Sequence, residues 1–181
     1  MQGSHSGLVF SLFRLKMIIT QAIRNCLPQE VEKQIDFLFI AWYQTSKRIQ
    51  RLTTVDGQAI AIRFLGKNQR LTEGDILYED ESKVIMVSIL PCEALVVATD
   101  HWIQLSWLAY EIGNKHVPLF VEGTYLYMPY ERPMQDWLTS KGYEPKVEQK
   151  KLSNPLNANV DYEQHKKISF KLPQGGLVLK I

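Results

Sequence analysis

The sequence lacks the motifs that mark the common enzyme classes. It has no G-x-G-x-x-G or Walker A loop for nucleotide phosphates and no G-x-S-x-G elbow for a hydrolase serine. Its two cysteines, Cys26 and Cys92, lie far apart and match neither a zinc nor a redox spacing. So few cysteines argue against a disulfide framework and favour a reducing compartment. We therefore expect a cytoplasmic protein that is not an enzyme.

An excess of charge and a long apolar run are also missing. The 21 Lys and Arg against 19 Asp and Glu give a net charge of +2, which provides no argument for a nucleic-acid or membrane partner. The apolar stretch from Leu8 to Phe13 is too short to span a bilayer and lacks the context of a secretory signal. We interpret residues 1–16 as a disordered or non-native extension, with Met1 and Met17 both candidate starts.

Residues 17–91 predict a small antiparallel β domain. The stretch "RIQRLTTV" alternates polar and apolar side chains, as a half-buried strand does, and Asp56-Gly57 then supplies a tight hairpin turn. "QAIAIRFL" returns with Ile60, Ile62 and Phe64 on one face. Further strand-like runs are "MIITQAI", "IDFLFIAW" and the pair "GDILYED" and "KVIMVSIL". A sandwich or barrel-like domain is the expected result.

Residues 92–151 show a different pattern, in which helices alternate with strands. After the strand-like "EALVVAT", Asp100 is a plausible helix N-cap, and Gly113-Asn114 is a helix stop because both residues tolerate the left-handed conformation. Between them, apolar residues recur at helical spacing, at Trp102, Leu105, Leu108, Ala109 and Ile112.

The second half of this region repeats the alternation. "VPLFV" and "TYLYM" predict two strands, and "YEPKVEQ" predicts a last one. Pro133 fits the first turn of a helix and Gly142 its end, with an apolar face of Met134, Trp137 and Leu138. The order β-α-β-β-α-β indicates a ferredoxin-like domain. The predicted fold class is therefore α+β, a small antiparallel N-terminal β domain followed by a C-terminal ferredoxin-like domain. Residues 152–181, rich in Asn and polar residues at first, are expected to form a C-terminal tail.

Four histidines are the candidate ligands or acid–base groups. His5 lies in the N-terminal extension and His101 just after the predicted N-cap, so both are expected to be ordinary surface residues. His165 lies in a polar loop. His116, in "YEIGNKHVPLF", stands between a helix stop and a strand, at one edge of a rigid domain. From spacing alone, an ordinary structural or surface role and a metal-binding role both stay open for His116.

A homodimer would turn one histidine per chain into a pair. At a two-fold axis each residue meets its own copy, and two neutral imidazoles suit Ni, Cu or Zn. Such an exposed and incomplete site fits the transfer of an ion better than a structural role, which needs a closed cage. Because only the neutral imidazole binds metal, affinity is expected to fall as the pH drops through the ordinary histidine range near ~6.5.

Tyr125 and Tyr127 offer a different interpretation. They alternate on one predicted strand and share a face, and a βαββαβ fold with aromatic residues on its sheet is typical of an RNA-binding module. However, "TYLYMPYE" lacks the basic-aromatic consensus of that module, and the net charge is nearly balanced. Packing or a protein contact is the simpler explanation for the two tyrosines.

The block around His116 resembles the signature of UreE, the urease accessory nickel chaperone family, in which a Gly-Asn-basic-His block precedes a strand. Upstream, "RLTTVDGQAIAIRFL" and "LTEGDILYEDESKVIMVSIL" are similar to the family's N-terminal domain in order and spacing. The similarity covers roughly residues 17–149.

This resemblance implies a function. The N-terminal β domain would engage partner proteins, and the ferredoxin-like domain would carry the metal site and the interface of a homodimer. The protein would deliver Ni²⁺ to the urease apoprotein with a GTPase partner, Ni²⁺ being a cargo that Zn²⁺ or Cu²⁺ could replace in vitro. His116 corresponds to the family's main nickel ligand at the dimer axis. Either a dimer or a metal-bridged tetramer is compatible with this scheme.

The chain also departs from many family members. "YMPYERP" has no histidine where others have several, and "LPQGGLVLKI" replaces a histidine-rich tail. A subset has only a lone tail histidine ahead of a Phe-Lys segment, which "HKKISFKL" resembles, so His165 is the candidate auxiliary ligand. The leading hypothesis is a nickel metallochaperone. The alternative is a metal-independent dimeric adaptor in urease maturation.

Overall fold

A computed structural model describes residues 17–66, 69–153 and 155–156. Within these ranges the chain forms eleven strands and two α-helices, joined by turns and two short 3-10 segments. The strands are β1 (Met17–Ile19), β2 (Arg24–Asn25), β3 (Gln34–Ile40), β4 (Ile49–Thr53), β5 (Ala59–Arg63), β6 (Asp75–Glu79), β7 (Lys83–Ile89), β8 (Cys92–Ala98), β9 (Phe120–Glu122), β10 (Tyr125–Pro129) and β11 (Lys146–Lys150). The helices are α1 (Trp102–Asn114) and α2 (Arg132–Ser140). Neither helix is long and apolar enough to cross a membrane.

The N-terminal part consists of two sheets that share an apolar core. A three-stranded sheet has the order β1-β5-β4, and a four-stranded sheet has the order β2-β6-β7-β3. Ile60, Ile62 and Phe64 point into the core, as their spacing predicts. The hairpin between β4 and β5 is also confirmed, because Gly57 adopts a φ of 79° and its N–H donates to the Thr54 carbonyl at 2.9 Å.

Two strand pairs differ from the antiparallel arrangement expected for this part. β1 pairs with β5 in parallel, and so does β3 with β7. Most of β7 is buried, including neighbouring residues on opposite faces, which is typical of strands covered on both sides. Alternation along one strand shows which face is buried but does not show the direction of a partner that is distant in sequence. The two sheets are therefore mixed.

The C-terminal part has the predicted ferredoxin-like arrangement. Its four strands form one antiparallel sheet in the order β11-β8-β10-β9. The two helices pack on one face of this sheet around a buried core that includes Leu95, Val97, Leu108, Ile112, Leu126, Met128, Met134 and Leu138. The α+β class and the βαββαβ order are thus confirmed.

The helix ends agree with the sequence in one helix and differ in the other. Pro133 lies in the first turn of α2, and Gly142, with a φ of 82°, follows its end. In α1 the N-cap is His101 and not Asp100, because the carbonyl of His101 accepts the first helical hydrogen bond, from Leu105 N at 2.9 Å. Trp102 was expected on the apolar face but is exposed.

The second face of the C-terminal sheet packs against the N-terminal part. Ala94, Val96, Phe120, Tyr127 and Leu152 are buried there, with Trp42 packed against them. The ring of Trp42 meets the ring of Phe120 edge-on, with centroids 5.8 Å apart. Both faces of the sheet are therefore covered, one by helices and one by the N-terminal part.

The segment after β11 crosses between the two parts. Lys151 Nζ donates to Glu73 Oε1 at 2.8 Å and to Ser88 Oγ at 3.0 Å. Arg70 Nη2 donates to the carbonyl of Ser153 at 3.0 Å. Since the side chains of Lys151 and Glu73 are partly exposed, their ion pair adds little stability, and the burial of Leu152 contributes more.

We expect Leu152→Ala to lower the free energy of unfolding by about 2–4 kcal/mol, because it leaves a cavity between the two parts. Leu156→Ala is the matched control, since Leu152 is 2% exposed and Leu156 is 56% exposed. Urea denaturation followed by tryptophan fluorescence measures both. Equal effects of the two substitutions would contradict the burial of Leu152 between the two parts.

Candidate metal centre

His116 lies at the corner where α1 ends, and its backbone is left-handed. Its φ is 57°, and it is the only non-glycine residue with a positive φ in the described part of the chain. Its N–H donates to the carbonyl of Gly113 at 2.9 Å, which closes the last turn. Gly113 and Asn114, expected to end the helix in this conformation, instead belong to α1. The left-handed stop is thus displaced onto the histidine itself, whose side chain is exposed.

The corner is held in place on both sides. Before it, Ile112 is fully buried, and after it, Leu119 is 1% exposed. Lys115, the residue that caps α1, places its Nζ 4.6 Å from the centre of the Trp137 ring on α2. A left-handed non-glycine residue costs on the order of 1 kcal/mol and persists only where its surroundings determine it. The packed residues on both sides therefore fix the position of the His116 Cα.

The helix that leads to His116 has an apolar face that nothing in the described residues covers. Trp102, Ile103, Trp107 and Tyr110 are all exposed, and positions 103, 107 and 110 follow the spacing of one helical face. The opposite face carries Leu108 and Ile112 into the core. An exposed aromatic group of this size marks a site of association. The amino-acid sequence contains this second stripe at the same helical spacing as the face that packs into the core.

The other described histidine is remote from this corner. His101 caps the opposite end of α1, and the 13 residues of the helix separate the two by about 20 Å. Among the described residues of one chain, no three His, Cys, Asp or Glu side chains group together as a metal site would require. Cys26 and Cys92 are free thiols, and burial raises the pKa of Cys92. Any metal ion held at His116 would therefore need ligands from elsewhere.

His165, the second predicted ligand, lies outside the described residues, as does His5. Pro155 and Leu156, near the start of the predicted tail, do lie within the described residues. Pro155 forms an isolated bridge with Phe120, and Leu156 N donates to the carbonyl of Leu119 at 2.6 Å. Pro155 and Leu156 thus pair with Leu119 and Phe120, which follow shortly after His116 in the chain.

Tyr125 and Tyr127 do share a face of β10, with ring centres 6.3 Å apart. Tyr127 is buried, and Lys150 Nζ lies 4.5 Å from its ring centre. Lys150 Nζ also donates to Glu122 Oε2 at 2.6 Å, which holds the ammonium group in place beside the ring and raises the pKa of Lys150. Tyr125 is 48% exposed, but the covered Tyr127 cannot stack on a base, so the two rings do not form a shared stacking surface for RNA.

Because the left-handed backbone favours glycine, we expect His116→Gly to raise the free energy of unfolding by about 0.5–1 kcal/mol. The control Lys115→Gly, at a φ of −84°, has no such strain to release and should leave the stability unchanged or lower it. Urea denaturation of both variants provides the comparison. A loss of stability in His116→Gly would show that the side chain is needed for the fold itself.

Comparison with known proteins agrees with this architecture along most of the chain. The model of the UreE urease accessory protein N-terminal domain matches residues 19–90, and that of the C-terminal domain matches residues 93–169. Urease accessory protein UreE of Flavobacterium johnsoniae is 38% identical over 135 residues, which are 75% of this chain and 82% of the relative. The proteins of the same name from Actinobacillus pleuropneumoniae and Acetivibrio thermocellus are 39% and 33% identical. Those matches cover 70% and 82% of this chain, and 68% and 97% of the relatives.

Both halves of the fold, and the corner that ends α1 in the second half, fall within these matches. The chain therefore belongs to the UreE family of urease accessory proteins.

Proposed function

We propose that this protein is a cytoplasmic nickel metallochaperone that delivers Ni²⁺ to apo-urease, as a homodimer with an interfacial histidine site. The observation that carries the proposal is the rigid, exposed corner at His116 beside an uncovered apolar helix face. One imidazole is too few for tight binding, and two copies related by a two-fold axis supply a pair. Zn²⁺ and Cu²⁺ would compete for the same donors in vitro.

The exposed face of α1 supports a second copy as its occupant. An isologous interface brings the same patch of two chains together, and aromatic residues are enriched in the centres of such interfaces. The stripe of Ile103, Trp107 and Tyr110 runs toward the end of α1 that carries His116. Packing two such helices near a shared axis would remove the apolar surface from water and bring the two histidines together.

The hydrogen bond between Leu156 and Leu119 supports His165 as an additional ligand. Leu156 is tied to Leu119, three residues after His116 in the chain. The nine residues from Leu156 to His165 can extend to about 30 Å, which exceeds the distance back to the corner. His165 can therefore reach the metal from its own protomer without any change in the fold.

An exposed and incompletely closed site suits the release of the ion. Imidazole ligands exchange one at a time, so a partner can supply a replacement ligand before the ion leaves the pair. In this scheme the two His116 side chains hold the ion, and His165 is the first ligand to dissociate from it. Urease apoprotein and its accessory proteins, including the GTPase, are the proposed recipients and helpers.

We expect calorimetric titration with Ni²⁺ to give about one ion per two chains and His116→Ala to abolish it. His165→Ala should weaken binding without changing the stoichiometry, because it removes a ligand that is not in the pair. Affinity should also be lower at pH 5.5 than at pH 7.5, since protonated imidazole does not bind. Undiminished binding and urease activation in His116→Ala would instead favour the metal-independent adaptor.

A charged residue introduced on the exposed face of α1 tests whether the protein dimerises through this face. We expect Trp107→Glu to convert the protein to a monomer, because it places a carboxylate in the centre of an apolar interface. Val147→Glu on β11 is the control, since Trp107 and Val147 are 45% and 46% exposed. Sedimentation velocity reports the oligomeric state of each. A dimer that survives in Trp107→Glu would show that the subunits associate through another surface.

A further inference from the structure

The three-stranded sheet β1-β5-β4 has one face that the core does not use. Its inner face carries Ile60 and Ile62 into the apolar core. On the outer face the register aligns Ile18, Ala61 and Arg51 in one row across the sheet. The neighbouring row pairs Ile49 with Arg63. The outer face is thus a small surface of alternating apolar and basic side chains.

This outer face forms a shallow trough and carries several exposed apolar side chains. Ile49 and Leu65 are each 80% exposed, and Ile18 is also exposed. Ala61, in the central strand between Ile18 and Arg51, has a small side chain and is buried. Small residues in the central strand between larger ones on both neighbours form a shallow trough along the sheet. Apolar groups at this level of exposure mark a contact surface.

The charge of this face has a single sign. The strands β1, β4 and β5 carry Arg51 and Arg63, both exposed, and no Asp or Glu. Neither arginine takes part in an ion pair within the described residues. The turn that joins β4 to β5 contains Asp56, at the end of the sheet away from Arg63. The arginines are therefore available to carboxylates that come from outside the fold.

The edge of this sheet is open as well. β4 pairs only with β5, so its other side faces no strand in residues 17–66, 69–153 and 155–156. Natural edge strands are commonly protected by charged side chains, proline or a bulge. "IQRLT" contains no proline, and its one charged residue, Arg51, lies on the outer face of the sheet. Its free N–H and C=O groups can pair with an added strand.

The chain's own terminal segments do not match this surface in charge. Residues 1–16 contain Arg14 and Lys16 and no acidic residue. Residues 157–181 contain Asp161 and Glu163 but are net basic, with lysines at 166, 167, 171 and 180. Charge complementarity therefore favours an occupant from another protein.

We propose that the outer face of the β1-β5-β4 sheet is a docking site for an extended acidic segment of a partner protein, added as a strand beside β4. Alternate side chains of the added strand would lie next to Arg51 and Ile49, and carboxylates at those positions would pair with Arg51 and Arg63. The intervening side chains would face the half-buried Leu52 and are expected to be apolar. This site uses none of the residues of the metal centre.

The test is a fluorescence anisotropy titration of the full chain with a short labelled peptide in which glutamate and valine alternate. Binding is expected at low salt, and it should weaken as NaCl is added because the pairing charges are exposed. The double variant Arg51→Glu/Arg63→Glu should bind this peptide at least about tenfold more weakly, since two attractions become repulsions. A labelled peptide in which lysine and valine alternate should instead bind Arg51→Glu/Arg63→Glu more tightly than it binds the original protein.

A charge-matched control separates the site from net charge. Lys141→Glu/Lys146→Glu makes the same change on exposed residues of the C-terminal part and should bind the acidic peptide like the original protein. Arg51→Gln/Arg63→Gln removes the positive charges without adding repulsion. Its affinity for the peptide should therefore lie between those of the original protein and the glutamate variant, which shows that the effect follows charge and not misfolding. Absence of binding at low salt, or equal loss in the lysine control, would overturn the proposal.

The same variants keep this result separate from the metal hypothesis. Arg51→Glu/Arg63→Glu should retain Ni²⁺ binding, and His116→Ala should retain peptide binding. Binding that appears only after residues 1–16 are removed would show that the chain's own N-terminal segment covers the face, and would also overturn the proposal.

Discussion

At the end of α1 the chain must reverse between Ile112, which is fully buried, and Leu119, which is buried directly before β9. This reversal forces one residue into the left-handed conformation, and that residue is His116. Because both flanking segments are fixed by the core, the imidazole projects from a corner that cannot relax without disturbing the fold. Preorganisation of this kind allows a site with few ligands to bind in a defined geometry.

The second face of the C-terminal sheet connects this corner to the rest of the molecule. Trp42 and Leu152 pack against it, and the segment after β11 then pairs with the strand that follows His116. The last described residues, Pro155 and Leu156, therefore lie beside the proposed site and not at a remote end. A ligand attached by a short segment at this point would have a high effective concentration near the corner, which is the arrangement proposed for His165.

Local chemistry made much of this fold predictable. The Asp56-Gly57 turn, the first-turn Pro133 and the stop at Gly142 depend on neighbours in sequence, and all were found where expected. The parallel pairing of β3 with β7 depends on contacts across more than forty residues, which alternation does not encode. Trp102 was misplaced for a related reason, since a helix with two apolar faces does not show which one meets its own core. The corner at His116 was predicted, whereas its left-handed backbone was expected two or three residues earlier, at Gly113 or Asn114.

One nickel ion shared by His116 of two protomers is the arrangement that we propose. A crystal structure of the nickel-loaded protein, with anomalous data collected on both sides of the nickel absorption edge, tests it directly. We expect a single anomalous peak on a two-fold axis, bonded to an imidazole nitrogen of His116 from each chain at about 2 Å. A nickel ion held within one chain, or bound away from the corner with both His116 side chains free, would contradict it.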